Sequence, residues 1–93
     1  IVKALQDPNE KLRQRAAYTL SSYFSLKITD NNIISSLRLA LNDSDKYVRI
    51  NIINTLRYLI DKNPSLISSL ESTLKDKDKD VRISATRTWV RIK

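Results

Sequence analysis

Three aspartates and three arginines stand at one fixed offset in this chain. Asp7 precedes Arg13, Asp43 precedes Arg49 and Asp76 precedes Arg82, each by six residues, and the copies lie 36 and then 33 residues apart. Such a charge set can hold a ligand or hold a structure. A ligand role would require all three copies to serve ligands equally, so a structural role is expected. Bond-making chemistry has little to work with. The chain has no His and no Cys, which removes the commonest general base, the commonest nitrogen ligand, thiolate metal sites and disulfides. The carboxylates of the run KDKDKD at 75–80 fall at i, i+2 and i+4. They match part of a calcium loop, but the Gly and the later Glu that such a loop needs are missing. The run reads as a solvated turn. No catalytic, metal or cofactor site is expected, and the chain is read as a non-enzyme.

The charged columns belong to a longer unit. Residues 4–23, ALQDPNEKLRQRAAYTLSSY, align without a gap to 40–59, ALNDSDKYVRINIINTLRYL, and to 73–92, TLKDKDKDVRISATRTWVRI. Self-similarity at this period signals stacked helical pairs in which each unit packs on its neighbours. Asn9, Asp45 and Asp78 share a column suited to capping the helix that follows. The spacing predicts helices over about 9–24, 45–61 and 78–93. Their apolar stripes are Leu12, Ala16, Leu20 and Tyr23, then Val48, Ile52, Leu56 and Leu59, then Val81, Ala85, Trp89 and Ile92. Trp89 is therefore expected in the core rather than stacking on a ligand.

Shorter helices alternate with these. Asn31 or Asn32 is expected to cap one whose inner face is Ile33, Ile34, Leu37 and Leu41. Pro64 suits the first position of another, with Leu66, Ile67, Leu70 and Leu74 inward. Residues 25–30, SLKITD, read as a longer connector that bulges at the surface. Ile1, Ala4 and Leu5 align with Leu37, Ala40 and Leu41, so residues 1–5 are expected to be the last turns of a helix. The chain starts at Ile1 in mid-pattern, and it reads as one domain over 1–93 cut from a longer array, with copies at about 1–24, 31–61 and 64–93. Ile1, Leu5 and Leu12 at one end, and Trp89 and Ile92 at the other, would then be bared, favouring end-to-end self-association.

Composition agrees with helices joined by short polar turns. Gly is absent and Pro occurs twice. Apolar residues make up 41% and charged residues 29%, a balance that suits a folded chain. The net charge of +7 is spread as +2 over residues 1–30, +2 over 31–62 and +3 over 63–93, with no basic tail. No apolar run approaches the roughly 18 residues of a spanning helix. A cytoplasmic setting and no membrane partner are expected.

The pattern L-x-D-x-[DN]-x-x-[LV]-R-x-x-A-x-x-x-L resembles HEAT repeats, especially the short type seen in phycobilisome-lyase-like and bacterial scaffold proteins. Leu5, Asp7, Asn9, Leu12, Arg13, Ala16 and Leu20 carry it first. Leu41, Asp43, Asp45, Val48, Arg49 and Leu56 carry it next, and Leu74, Asp76, Asp78, Val81, Arg82 and Ala85 last. Ile52 and Trp89 depart from it, standing in an Ala and a Leu column. The ankyrin turn T-P-L-H and the Trp, Gly and Tyr signature of tetratricopeptide repeats are absent. The resemblance implies an all-α, right-handed α-solenoid of about two and a half to three helix pairs. It implies that the Asp and Arg columns pair within and between repeats as a ladder, and that second helices line the concave side. Opposite the apolar stripe, those helices offer Arg15 and Tyr18, then Asn54, Arg57 and Tyr58, then Arg87 and Arg91. Arg with Tyr suits an acidic peptide or a phosphate backbone. The leading expectation is a scaffold segment that binds a protein partner, with an acidic one suited to this charge. The second is nucleic-acid binding through the basic concave face, and the third a subunit of a chromophore lyase-type enzyme.

Overall fold

The computed structural model describes residues 3–22, 31–60 and 63–92. A short 3-10 helix, Lys3–Gln6, leads into α1 (Glu10–Ser22), α2 (Asn31–Ala40), α3 (Lys46–Leu59), α4 (Leu66–Thr73) and α5 (Lys79–Ile92). No strand occurs among the described residues. The expected bulge at 25–30, Ile1, Tyr23 of the first stripe and the side chain of Ile92 lie outside the described set.

The long helices begin where the capping column lies. The backbone N–H of Lys11 donates to Asn9 Oδ1 at 2.8 Å, that of Val48 to Asp45 Oδ2 at 3.0 Å, and that of Asp80 to Asp78 Oδ1 at 2.8 Å. Each satisfies an amide that the helix itself leaves unpaired, worth about 1 kcal/mol apiece. Two starts differ from the sequence reading. Asn31 and Asn32 already lie inside α2 instead of capping it. Pro64 precedes α4 instead of opening it. The N–H of Leu66 donates to Asn63 O at 2.9 Å and that of Ile67 to Pro64 O at 3.0 Å, a tight turn that ends before helical bonding begins.

α1 packs beside α3 and α3 beside α5, forming one layer; α2 and α4 lie against α3, and α4 also against α5. The extents of 34 × 29 × 19 Å match two helical layers in the thinnest direction. α2 and α4 meet far less than the long helices do. The chain is thus an all-α solenoid in which α3 is the central member. Val48, Ile52, Ile53 and Leu56 on α3 are wholly buried, with Leu37 of α2 and Leu66 and Leu70 of α4 closing over them. The buried hydroxyl of Thr73 donates to Leu70 O within its own helix at 2.6 Å, so it enters the core without an orphaned polar group.

Of the end residues expected to be bared, Leu5 and Trp89 are covered and Leu12 is open. Residues 3–6 form a 3-10 helix and not the last α-turns, yet they seat Leu5 against α1 and α2 at 1% exposure. Trp89 is half-buried and packs on the core. Only Leu12 stands out, at 45% exposure. Its column mates Val48 and Val81 are fully buried because α2 and α4 cover them. The four residues of the 3-10 helix are too short to give Leu12 the same lid. Leu12→Ala should therefore shift stability by less than about 0.5 kcal/mol, while Val48→Ala should cost about 2 kcal/mol. Denaturant midpoints of the two variants check this; equal losses would mean that Leu12 is covered.

Candidate functional site

Two sets of side chains lie outside the core packing. The first is at the turns. Arg13 Nε donates to Asp43 Oδ2 at 2.9 Å, and its Nη1 donates to the carbonyl oxygens of Asp7 (2.8 Å) and Pro8 (3.1 Å). Arg49 repeats the geometry one unit on. Its Nε reaches Asp76 Oδ2 at 3.0 Å, Nη2 reaches Asp76 Oδ1 at 3.2 Å, and Nη1 reaches Asp43 O at 2.7 Å. Arg82 Nη1 holds Asp76 O at 2.8 Å. Each Arg therefore clamps the backbone of its own turn, and Arg13 and Arg49 also take the carboxylate of the next turn. The forked guanidinium suits such two-sided pairing. The aspartates do second duty: Asp7, Asp43 and Asp76 each accept the backbone N–H two residues on, at 2.8 Å.

The run at 75–80 is spent on the same turns. Asp76 holds Arg49, Asp78 caps α5, and Asp80 accepts from Lys46 Nζ at 3.2 Å. The hydrogen bond to Asp80, then the charge of Asp78, raises the Lys46 pKa above its ordinary value. Partial desolvation pushes the Asp78 carboxyl upward, but the N–H groups of Asp80 and Val81 and the charge of Lys46 outweigh it, leaving the group below its ordinary value. No cluster of three or more potential metal-binding side chains occurs among the described residues.

The second set faces away from α2 and α4, along the α1–α3–α5 layer. It divides between two hollows. One, about 350 Å³, holds Arg15 and Tyr18 of α1 with Asn51 and Tyr47 of α3. Tyr18 is 65% exposed. The other, about 620 Å³, lies where α3 meets α5 and takes Asn54, Arg57, Arg87 and Arg91, with Ser21 of α1 reaching in. Tyr58 lines neither. It lies beside Arg57, whose guanidinium carbon sits 4.9 Å from the ring centre and whose Nη2 donates to the Tyr58 hydroxyl at 2.7 Å. The seven residues singled out from the sequence thus share one layer but fall into two groups with Tyr58 as a support. Tyr47 was missed. Its column mates are Lys11 and Asp80, so the repeat carried no aromatic signal there. Thr88, on the same hollow as Arg87, was missed because a small hydroxyl residue carries no signal on a helix face.

Antiparallel helix pairs stacked side by side, with turns tied by an Arg–Asp ladder, define an α-solenoid of the helical-repeat class. Residues 34–93, about two thirds of the chain, match the family of HEAT repeats. The chain belongs to that family, whose members typically serve as non-catalytic scaffolds for protein interactions. No curated protein matches the sequence. No helix among the described residues is long and apolar enough to cross a membrane.

Proposed function

We propose that this chain is a scaffold segment that binds a protein partner on the concave layer of α1, α3 and α5. One observation carries the reading. The conspicuous Arg and Tyr side chains of that layer are spent neither on the core nor on the ladder. Arg15, Arg87 and Arg91 are exposed and make no ion pair among the described residues. The ladder arginines, by contrast, are consumed by the fold. A rigid layer carrying Tyr18, Tyr47 and Tyr58 beside unpaired guanidinium groups has the residue types that anchor protein interfaces.

The Arg57→Glu, Arg91→Glu double variant tests it. Arg91 is exposed and Arg57 is half-buried with its main contacts to Tyr58, so stability should stay within about 1 kcal/mol of the parent. Capture of the protein partner bound by the parent chain should be lost. For a protein partner, a few anchors, chiefly Arg57 and Tyr58, should account for most of that loss. For nucleic acid the loss would instead scale with every Arg removed, and the salt slope would fall by about one per phosphate contact. A variant of unchanged melting temperature that binds at parental strength moves the site to the turns or to the α2 and α4 layer.

A further inference from the structure

We propose that the hollow between α3 and α5 is a phosphate-binding subsite that takes a phosphorylated serine or threonine of the protein partner. The inference rests on the scaffold reading above and adds what that face recognises. Ser84, Arg87, Thr88 and Arg91 fall at i, i+3, i+4 and i+7 on α5, which is one helical face. Arg57 closes the hollow from α3. Three guanidinium groups and several hydroxyls therefore line about 620 Å³ with no carboxylate among the lining residues. Arg13 and Arg49 each find a carboxylate, whereas these three arginines make no ion pair among the described residues and converge on one hollow.

Arg57 supplies the second observation. Its Nε is buried and has no hydrogen-bond partner. A buried donor left unsatisfied costs stability, and such a group deserves a ligand or an ion as its explanation. An anion in the hollow would balance the charge of this partly buried guanidinium. Tyr58 holds the same guanidinium through its ring and hydroxyl, which fixes the orientation of the group.

The number of donors selects the anion. A carboxylate offers two oxygens, and one guanidinium fork satisfies it. A phosphomonoester offers three oxygens and about two charges at neutral pH, which matches three guanidinium groups with hydroxyls between them. The rest of the layer selects the macromolecule. Toward α1 the charge thins to Arg15, and Gln14, Tyr18, Thr19, Tyr47 and Asn51 take over, while Lys79 and Arg82 adjoin Arg87 along α5. A nucleic acid presents phosphates at a regular repeat and calls for a continuous track of cations. One concentrated anion site beside a neutral, aromatic stretch fits a peptide bearing a single phosphate.

The experiment follows the Arg side-chain Nε–Hε resonances while inorganic phosphate is added, with acetate at equal ionic strength as control. Arg57, Arg87 and Arg91 should shift saturably with phosphate and hardly at all with acetate, while Arg15 and Arg82 stay in place. Each of Arg87→Gln and Arg91→Gln should weaken phosphate binding at Arg57 about tenfold, the scale of one charge-assisted hydrogen bond. A degenerate peptide pool with a central phosphoserine should bind more tightly than the same pool with serine or aspartate. It should also bind more tightly than a single-stranded oligothymidylate. Shifts spread evenly over all arginines, or equal effects of acetate, overturn the subsite. Tighter binding of the oligonucleotide replaces the peptide with nucleic acid. If the three arginines bind phosphate but the Arg57→Glu, Arg91→Glu variant still captures its protein partner, the scaffold face fails, and the hollow is an anion site that the partner does not use. If that variant loses its partner while phosphate leaves the three resonances unmoved, the face stands and the subsite fails.

Discussion

Asp76→Ala should destabilise the chain by about 3–5 kcal/mol, the range for removing one partner of a buried ion pair. Asp76 accepts from both Nε and Nη2 of Arg49 and from the N–H of Asp78. Arg49 is 4% exposed. Without the carboxylate, two of its donors lose their acceptor where water has little access, and only the Asp43 carbonyl continues to hold the guanidinium. Asp43→Ala should cost less, because the side chain of the Arg13 it strands is 15% exposed against 5% for that of Arg49. Chemical denaturation compares the two variants, and a separate cycle of Arg49→Leu, Asp76→Leu and the Arg49→Leu, Asp76→Leu double variant measures the pair itself. The double variant should recover much of the loss, since a buried pair replaced by apolar groups is often tolerated. A loss below about 1 kcal/mol for Asp76→Ala would mean that the turn is wet and that the ladder does little.

The second large effect is at Leu56. It lies wholly buried on α3, the helix with neighbours on both sides in its own layer and with α2 and α4 beneath. Leu56→Ala removes a large side chain from a place that four helices surround, so collapse around the void is limited. The expected cost is about 2–5 kcal/mol. The denaturant midpoint should fall while the slope of the transition stays constant, because the surface exposed on unfolding is nearly unchanged. A loss under about 1 kcal/mol would put Leu56 outside the core and break the register of the three copies.

Most of the fold was legible because a repeat is read three times. Val48, Ile52 and Leu56 could be placed in the core from column and spacing alone, and the capping column at Asn9, Asp45 and Asp78 marked three helix starts. What column identity cannot carry is coverage. Leu12 shares its column with Val48 and Val81, yet it lies open because burial depends on what the preceding segment supplies. The direction of the ladder was equally hidden. Asp7 and Arg13 are six residues apart, which permits a pair within the turn. In the structure the Arg13 side chain takes only the backbone carbonyl of Asp7 and spends its fork on Asp43. The candidate face was legible as a set of residues but not as two hollows, since the division depends on how closely α1, α3 and α5 approach. Tyr47 enters that face through helix packing and not through any repeated residue type.

The forward reach of the ladder has a consequence for how such a chain can change over generations. Every joint uses the same two parts: an Arg that grips its own turn and an Asp offered by the following one. Excising a whole copy, for instance the residues from 44 through 76, would bring Arg13 and Asp43 into the place before Arg82 with the donor–acceptor chemistry of the remaining joint intact. Inserting a copy would do the same in reverse. Duplication and loss in whole units thus leave the grammar of the turns unbroken, and the stretch between joints can itself vary, since the Arg13–Asp43 and Arg49–Asp76 pairs both form although their partners lie 30 and 27 residues apart. Length is therefore the trait this architecture can vary most freely, and the reach of its binding layer can lengthen or shorten without any new contact having to be invented.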